Sequence, residues 1–338
     1  MKQIVLTKAG DIDSLEIKKA KSPRPGKGEV TIRVKASGVN FADILARQGL
    51  YPDAPKLPCI IGYEVSGIIE DAGEGADTGF VGKEVLALVR FGGYSEIVTV
   101  PLTQVFLKPA RLSFEQAAAI PVNYLTAYEL IFVMGGLKED ESVLIHNAGG
   151  GVGLAALDIA KKIGATTFGT SSRKKHDFLK DRGLDYAIDY REDDWEKELK
   201  KLVGGKGMEL IIDPIGGSHW KKSYRALRAT GRLGVFGISE VAGSGLRTKL
   251  RLAKTFVRMP SFHAISMMKA NKGVFGVDIG NLWNENEKMR SWMKAILKGV
   301  EEGWIRPHVD KAFSFEDAGK AHAYIEGRKN IGKVVLVP

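Results

Sequence analysis

The sequence predicts an α/β protein in two parts: a partly open β-barrel, then a doubly wound parallel sheet with helices on both faces. Three observations carry this. Short alternating apolar runs with glycine-rich breaks fill residues 1–110, the spacing of a barrel. From Glu141 the pattern changes to strands alternating with helices, which requires a parallel sheet. At that change, Glu141–Ala165 reads as strand, glycine-rich turn and helix, ESVLIHNAGGGVGLAALDIAKKIGA.

In order, Lys2–Thr7 and Glu16–Lys21 read as short strands and Pro23–Gly28 as a turn. Glu29–Ser37 alternates, with Val30, Ile32, Val34 and Ala36 on one face. A short helix is expected over Asn40–Arg47, then strands at Glu64–Glu70, Glu84–Val89, Tyr94–Val100 and Val105–Lys108. Ser113 and Gln116 form a capping box that opens a helix into Ala117–Ala119; Pro121 interrupts it, and helical spacing resumes over Val122–Val133. In the second part strands are expected at 142–146, 166–170, 186–189, 209–213 and 232–238, with helices near 152–163, 174–182, 193–203 and 218–228. Val274–Ile279 would add a sixth strand, Asn284–Glu301 a long helix, and Gly332–Val337 a strand returning to the first part. The expected division is 1–121, completed by 287–338, around 122–286.

A chain of 338 residues with 44% hydrophobic content can bury two cores. No apolar run is long enough to cross a bilayer, and the N-terminus lacks a signal-peptide pattern. Cys59 is the single cysteine, which excludes an internal disulfide and a cysteine-based zinc cluster. A cytoplasmic setting is expected, with peripheral membrane attachment as a second reading. The net charge of +10 suits nucleic acid, anionic lipid or a phosphorylated cofactor and does not choose among them.

The glycine turn carries the first functional reading. Gly150 and Gly153 stand where the dinucleotide fingerprint has its second and third glycines, with Ala148 in place of the first. The second glycine lets a pyrophosphate approach the backbone, the third lets helix and strand pack closely, and the helix N-terminus attracts the phosphates. The carboxylate that holds the adenine ribose of NAD about 20 residues on is missing. The second strand ends instead in Ser171, Ser172, Arg173, Lys174 and Lys175, hydroxyls and cations that suit a 2′-phosphate. The residues therefore favour NADPH; a basic helix start facing solvent is the plain alternative.

GVNFADI (38–44), RQGLY (47–51), GYEVSG (62–67), GKEV (82–85), SFEQAAA (113–119), NYLTAY (123–128), AGGGVG (148–153), IDY (188–190) and GRKNIGKVVL (327–336) together resemble the zinc-free quinone oxidoreductases of the medium-chain dehydrogenase/reductase superfamily, over essentially the whole chain. NFADILARQGLYPDAPKLP, VNYLTAY, DPIGGS and the long segment before the sixth strand are most similar to the vesicle amine transport protein branch. The resemblance implies a GroES-like catalytic domain, completed by the C-terminal tail, around a Rossmann domain, with the cofactor in the cleft between them and a homodimer through the edge near Val274–Ile279. Zinc members carry a cysteine and a histidine where this chain has Asn40 and Tyr63, the loop of four structural cysteines is absent, and the six histidines lack ligand spacing. No metal is expected.

Position by position, Gly150, Gly151, Val152 and Gly153 match the phosphate turn, and Lys175, Tyr190 and Arg328 match contacts to the 2′-phosphate, with Ser171 beside them. Thr126 and Asn40 fall beside the nicotinamide, and Phe236 is placed with the cofactor contacts. The implied activity is hydride transfer from NADPH to quinones or α,β-unsaturated carbonyls, where positioning and electrostatics do most of the work. Asn40, Tyr51 and Tyr63 are the catalytic candidates: Asn40 as an amide donor, Tyr51 to orient or protonate a carbonyl, Tyr63 pointing into the cleft. His146 is read as structural, and packing tyrosines and solvated surface cations are the competing readings for the other candidates.

From Val241 to Gly276 the chain has no acidic residue but carries Arg247, Lys249, Arg251, Lys254, Arg258, Lys269 and Lys272. Leu246, Leu250, Ala253 and Val257 share one helical face, opposite most of these cations. Such a helix can roof a cleft or lie on an anionic membrane. That leaves a second functional reading, a membrane-, lipid- or protein-binding module that keeps NADPH as a structural ligand. A nucleic-acid partner is disfavoured, because no aromatic stripe accompanies the cations.

Overall fold

The computed structural model describes residues 1–241 and 246–338, and side chains outside 246–251. The chain begins with the antiparallel pair β1 (Lys2–Leu6) and β2 (Leu15–Lys19). It continues through β3 (Glu29–Val39), α1 (Phe41–Arg47), β4 (Glu64–Ala72), β5 (Glu84–Leu88), β6 (Ile97–Pro101) and β7 (Val105–Leu107). Val30, Ile32, Val34 and Ala36 of β3 are buried, as their alternation requires. Two helices follow, α2 (Phe114–Ala118) behind the Ser113–Gln116 capping box and α3 (Pro121–Tyr128) with proline in its first turn, where no N–H is needed. The helix expected to run on to Val133 widens after Tyr128 into a π-helical turn, Glu129–Val133.

The second part carries β8 (Ser142–His146), α4 (Gly151–Ile163), β9 (Thr166–Ser171), α5 (His176–Asp181), β10 (Tyr186–Asp189), α6 (Trp195–Leu202), β11 (Met208–Asp213), α7 (Ser218–Ala226), β12 (Leu227–Val235), α8 (Leu246–Arg258), α9 (Ala264–Ala270) and β13 (Gly273–Gly276). Its strands form a six-stranded parallel sheet in the order β10-β9-β8-β11-β12-β13. The winding reverses between β8 and β11, and a crevice opens there beyond the carboxyl ends of the strands. The chain closes with α10 (Asn286–Glu301), β14 (Val309–Ser314), α11 (Ala318–Glu326) and β15 (Lys333–Val337).

β15 pairs antiparallel with β3, Val334 opposite Val39, and parallel with β14, so the tail completes a seven-stranded sheet that stays open rather than closing into a barrel. The tail also touches the glycine turn: Gly332 N–H donates to the Gly149 carbonyl (2.9 Å). α10 buries Met289, Met293, Ile296 and Val300 in the same core as Leu125, Val143 and Leu157.

The strand expected at 232–238 begins at Leu227 and ends at Val235, so Phe236 lies just beyond it. Its first half, Leu227–Gly231, is largely exposed around Thr230 at φ 70° and carried no apolar signal. β14, α9 and α11 were not singled out, since their sequences lack clear periodicity. Of the apolar stripe of α8, Val257 is 87% exposed and Ala253 also faces solvent, while Thr255 is the buried residue, which disfavours the roofing of a cleft by that stripe. The side chains of Leu246, Arg247, Leu250 and Arg251 lie outside the described residues.

Candidate nucleotide and substrate cleft

A cavity of about 1120 Å³ runs along the crevice between the two sheets. It is lined by Asn40, Tyr51, Tyr63, Thr126, Gly150, Gly151, Val152, Gly153, Lys175, Tyr190, Phe236 and Arg328, so one space gathers nearly every residue singled out in the sequence. Ser171 is the exception. It is buried in β9, and its hydroxyl donates to the Ser172 carbonyl instead of reaching the cavity.

The glycine turn has the geometry its sequence demands. Asn147 takes φ 55°, a left-handed conformation that asparagine adopts more readily than most residues. A Cβ on Gly153 would sit 2.4 Å from the Asn147 carbonyl oxygen and 2.6 Å from that of Ala148, so only glycine lets α4 approach β8 this closely. A Cβ on Gly151 would lie 2.5 Å from the Asn123 amide, and one on Gly150 2.7 Å from Asn147 Nδ2. Gly150 is the N-cap of α4, so the first N–H groups of that helix face the cavity.

Beside the turn, cations and a phenol converge from three segments. Lys175 is 8% exposed, its stem lies against Gly149, and its ammonium donates to the Asn330 carbonyl. Burial pushes its pKa down, with the Arg191 and Arg328 charges adding to that and Tyr190 opposing it. Burial alone would raise the Tyr190 pKa, but hydrogen bonding and charge from Arg328 and Arg191 outweigh it and lower the phenol. Three cations that repel one another are thus gathered about one phenol, an arrangement that an added dianion would relieve. Arg328 reaches it from a φ of 54°. Arg191 and Asn330 were missed by the sequence reading, although both adjoin residues that it named.

At the other end of the cavity, Asn40 is not a free amide. Its Nδ2 donates to Glu64 Oε1 (2.9 Å) and its Oδ1 accepts from Lys333 Nζ (2.6 Å), and Lys333 also forms an ion pair with Glu64. Glu64 Oε2 accepts from Val122 N–H (2.7 Å). One amide hydrogen of Asn40 is left over for a ligand. Below it, Asp43 accepts from the backbone N–H groups of Asn40 (2.8 Å) and Gly62 (3.0 Å), and complete burial pushes its carboxyl up to about 7 against those bonds.

The Tyr51 and Tyr63 rings meet edge to face, with centroids 6.0 Å apart, and Phe91 packs on the far side of Tyr63. The Tyr63 hydroxyl is buried and has no hydrogen-bond partner among the described residues. Burial raises both phenols, Tyr51 to about 12, and the Asp278 charge adds to each, so both stay protonated donors. Thr126 faces the same space from α3. Glu129 and Asp278, which the sequence reading passed over, line it as well. A lone carboxylate in the apolar run AYELIFV was the available signal for Glu129.

His146, read as structural, closes a buried network. Ser223 donates to Asp213 Oδ2 (2.6 Å), so its oxygen accepts from His146 Nε2 (3.2 Å), and His146 Nδ1 accepts from the Thr170 hydroxyl (3.0 Å). Burial pushes His146 down to about 3, which keeps it neutral. His219 donates to the same Asp213 oxygen (2.6 Å). Among the described residues His146, Asp213 and His219 could by ligand type hold a metal ion, but these hydrogen bonds already occupy their facing atoms.

Comparison with known proteins agrees with this architecture. Residues 26–110 match the family described as "Alcohol dehydrogenase GroES-like domain", and residues 182–336 the one described as "Zinc-binding dehydrogenase". The human synaptic vesicle membrane protein VAT-1 homolog is 39% identical over 99% of this chain and 86% of its own length. Quinone oxidoreductase 1 of Escherichia coli is 32% identical over 93% of this chain and 92% of its own. The crystal structure of the Escherichia coli quinone oxidoreductase complexed with NADPH superposes with a TM-score of 0.88 at 29% identity, covering all of both chains.

Proposed function

The chain belongs to the medium-chain dehydrogenase/reductase superfamily, in the branch of the VAT-1 homologues, and from that premise we propose that it is an NADPH-dependent, zinc-independent reductase of quinones or α,β-unsaturated carbonyls. One observation carries the reading: a single cavity joins a phosphate turn flanked by Lys175, Tyr190 and Arg328 to a chamber bounded by Asn40, Tyr51 and Tyr63.

NADPH, when bound, supplies the hydride. The residues of the chain hold and orient. The glycine turn and the start of α4 take the pyrophosphate, and Lys175, Arg328 and Tyr190 take the 2′-phosphate and so favour NADPH over NADH. The remaining Asn40 amide hydrogen and the Tyr51 and Tyr63 hydroxyls face the reacting carbonyl, and the apolar walls exclude water. Zinc does not fit. A bonded amide and a neutral phenol stand where a thiolate and an imidazole would be needed, and the amide is already bound to Glu64 and Lys333. The deciding experiment is NADPH consumption against a panel of quinones and α,β-unsaturated ketones, with NADH in parallel. Turnover with NADPH on one class is expected; NADPH binding with no turnover on any acceptor would refute the activity.

A second reading rests on the region around α8 and α9, where Phe256, Val257, Ile265 and Met268 are exposed beside Lys254, Arg258 and Lys269. Among the described residues no helix is long and apolar enough to cross a membrane, so contact with a bilayer would be at its surface. Val257→Glu is expected to weaken flotation with anionic liposomes and leave NADPH binding unchanged; equal flotation would dismiss the membrane reading. β13 presents an open edge of the parallel sheet, and a homodimer through it is expected. Light scattering that gives a monomer mass would overturn that expectation.

A further inference from the structure

Glu129 stands where the chain after α3 widens into a π-helical turn, a form of helix that often marks a functional position. It is 7% exposed, it lines the cavity, and its Oε2 is buried with no hydrogen-bond partner among the described residues. Leu45, Leu50, Val277, Ile279, Leu282 and Trp283 line the same cavity. Burying a carboxylate without a partner is costly, which shifts the balance toward the neutral acid. That acid carries one O–H, and among the described residues no acceptor takes it. Thr126, one helical turn earlier, lies on the same cavity wall.

We propose that Glu129 is the acid of the substrate chamber: its unpartnered carboxyl donates a hydrogen bond to the carbonyl oxygen of an enone or quinone and passes its proton there during reduction. This rests on the reductase reading above. When the β-carbon of an enone accepts hydride from bound NADPH, the electron pair of the C=C bond shifts toward the carbonyl oxygen. The Glu129 O–H bond breaks, the proton joins that oxygen, and the enol isomerises to the saturated ketone. The carboxylate left behind regains a proton from solvent. NADPH is oxidised, the enone is reduced, and no other reactant is needed.

The electrostatics of the chamber favour this assignment over the tyrosines. Burial raises the pKa of Glu129, and the charge of Asp278 from the loop after β13 raises it further. Asp278 is itself raised by burial and by Asp53, while Gly280 N–H (3.0 Å) and Asn281 Nδ2 (3.1 Å) donate to it. Of the other titratable groups that line the cavity, Tyr51 and Tyr63 are pushed upward, so they donate hydrogen bonds but release protons poorly at neutral pH, and Lys333 is held by Glu64 and Asn40. A carboxyl raised from its ordinary range lies nearer the working pH.

The test pairs Glu129→Gln, which keeps the shape and a hydrogen-bond donor but has no acidic proton, with the unaltered protein. Difference infrared spectra recorded from acid to neutral pH should reveal a carboxylic acid band that titrates above the range of an exposed glutamate and disappears in Glu129→Gln. Enone reduction by the variant should fall about 100-fold in kcat while its NADPH affinity stays unchanged. The unaltered kcat should decline as pH rises and Glu129 ionises, and the variant should lack that limb. Turnover without the acid band, or a variant with the unaltered kcat and pH profile, would overturn the role of Glu129 alone. The band without turnover on any acceptor would remove the reductase reading, and the proton transfer with it.

Discussion

Lys175→Glu is expected to weaken NADPH binding about 100-fold or more and to leave NADH binding within a few-fold. A hydrogen bond to a charged group contributes about 1.5–3 kcal/mol, and each ~1.4 kcal/mol is a factor of ten in affinity. The substitution removes one such contact to a 2′-phosphate and adds a repelling carboxylate at the same point. The geometry makes the effect local: Lys175 lies on Gly149 beside the phosphate turn, whereas Lys174 next to it is exposed. Lys174→Glu is therefore the control and should change little. Unaltered NADPH affinity in Lys175→Glu would remove the 2′-phosphate assignment.

A pH dependence accompanies it. Burial holds Lys175 below the ordinary lysine range, so it loses its charge at a lower pH than an exposed lysine. Tyr190 is lowered as well, and its ionisation adds a negative charge at the same place. Both changes oppose a phosphate, so NADPH affinity should fall as pH rises above neutral, ahead of ordinary lysine and tyrosine titration. NADH, which lacks the phosphate, should show little of this. Parallel slopes for the two nucleotides would contradict it.

What the sequence disclosed follows from the kind of constraint involved. The glycine turn was readable because backbone sterics decide it: a Cβ at Gly153 has no room, whatever the rest of the chain does. The parallel sheet was readable because strands such as Leu210–Ile212 are buried on both faces and stay apolar without interruption. Hidden features depended on contacts between segments far apart in the chain. Nothing near Asn40 announces that Lys333, 293 residues away, occupies its oxygen. Ser171 looked like a phosphate contact by position, and its rotamer, set by burial in β9, turned it away. In α8 the helical period was visible, but which face meets the protein is settled by tertiary packing. There the exposed Val257 stands against the reading of this stripe as a roof of the cleft and leaves the membrane reading open.

Lys333→Met should be the most damaging substitution away from the cofactor, costing about 3–5 kcal/mol of stability, the usual effect of removing one partner from a buried ion pair. Lys333 and Glu64 are both nearly inaccessible to solvent, and the pair joins β15 of the tail to β4. Without the ammonium, Glu64 keeps its bonds from Asn40 Nδ2 and Val122 N–H but loses its countercharge, and Asn40 Oδ1 loses its donor. A denaturant melt of the variant should show a lowered midpoint with an unchanged slope, because the surface exposed on unfolding is the same. Adding Glu64→Leu should recover only part of the loss: it removes the stranded charge, but it leaves the Val122 N–H and the Asn40 amide without their acceptor. Full recovery in the double variant would mean that the ion pair is electrostatic ballast and that Asn40 is held by packing alone. Partial recovery would mean that Glu64 is retained as an acceptor that fixes Asn40 and the start of α3, so the network orients the amide facing the cleft as well as fastening the tail.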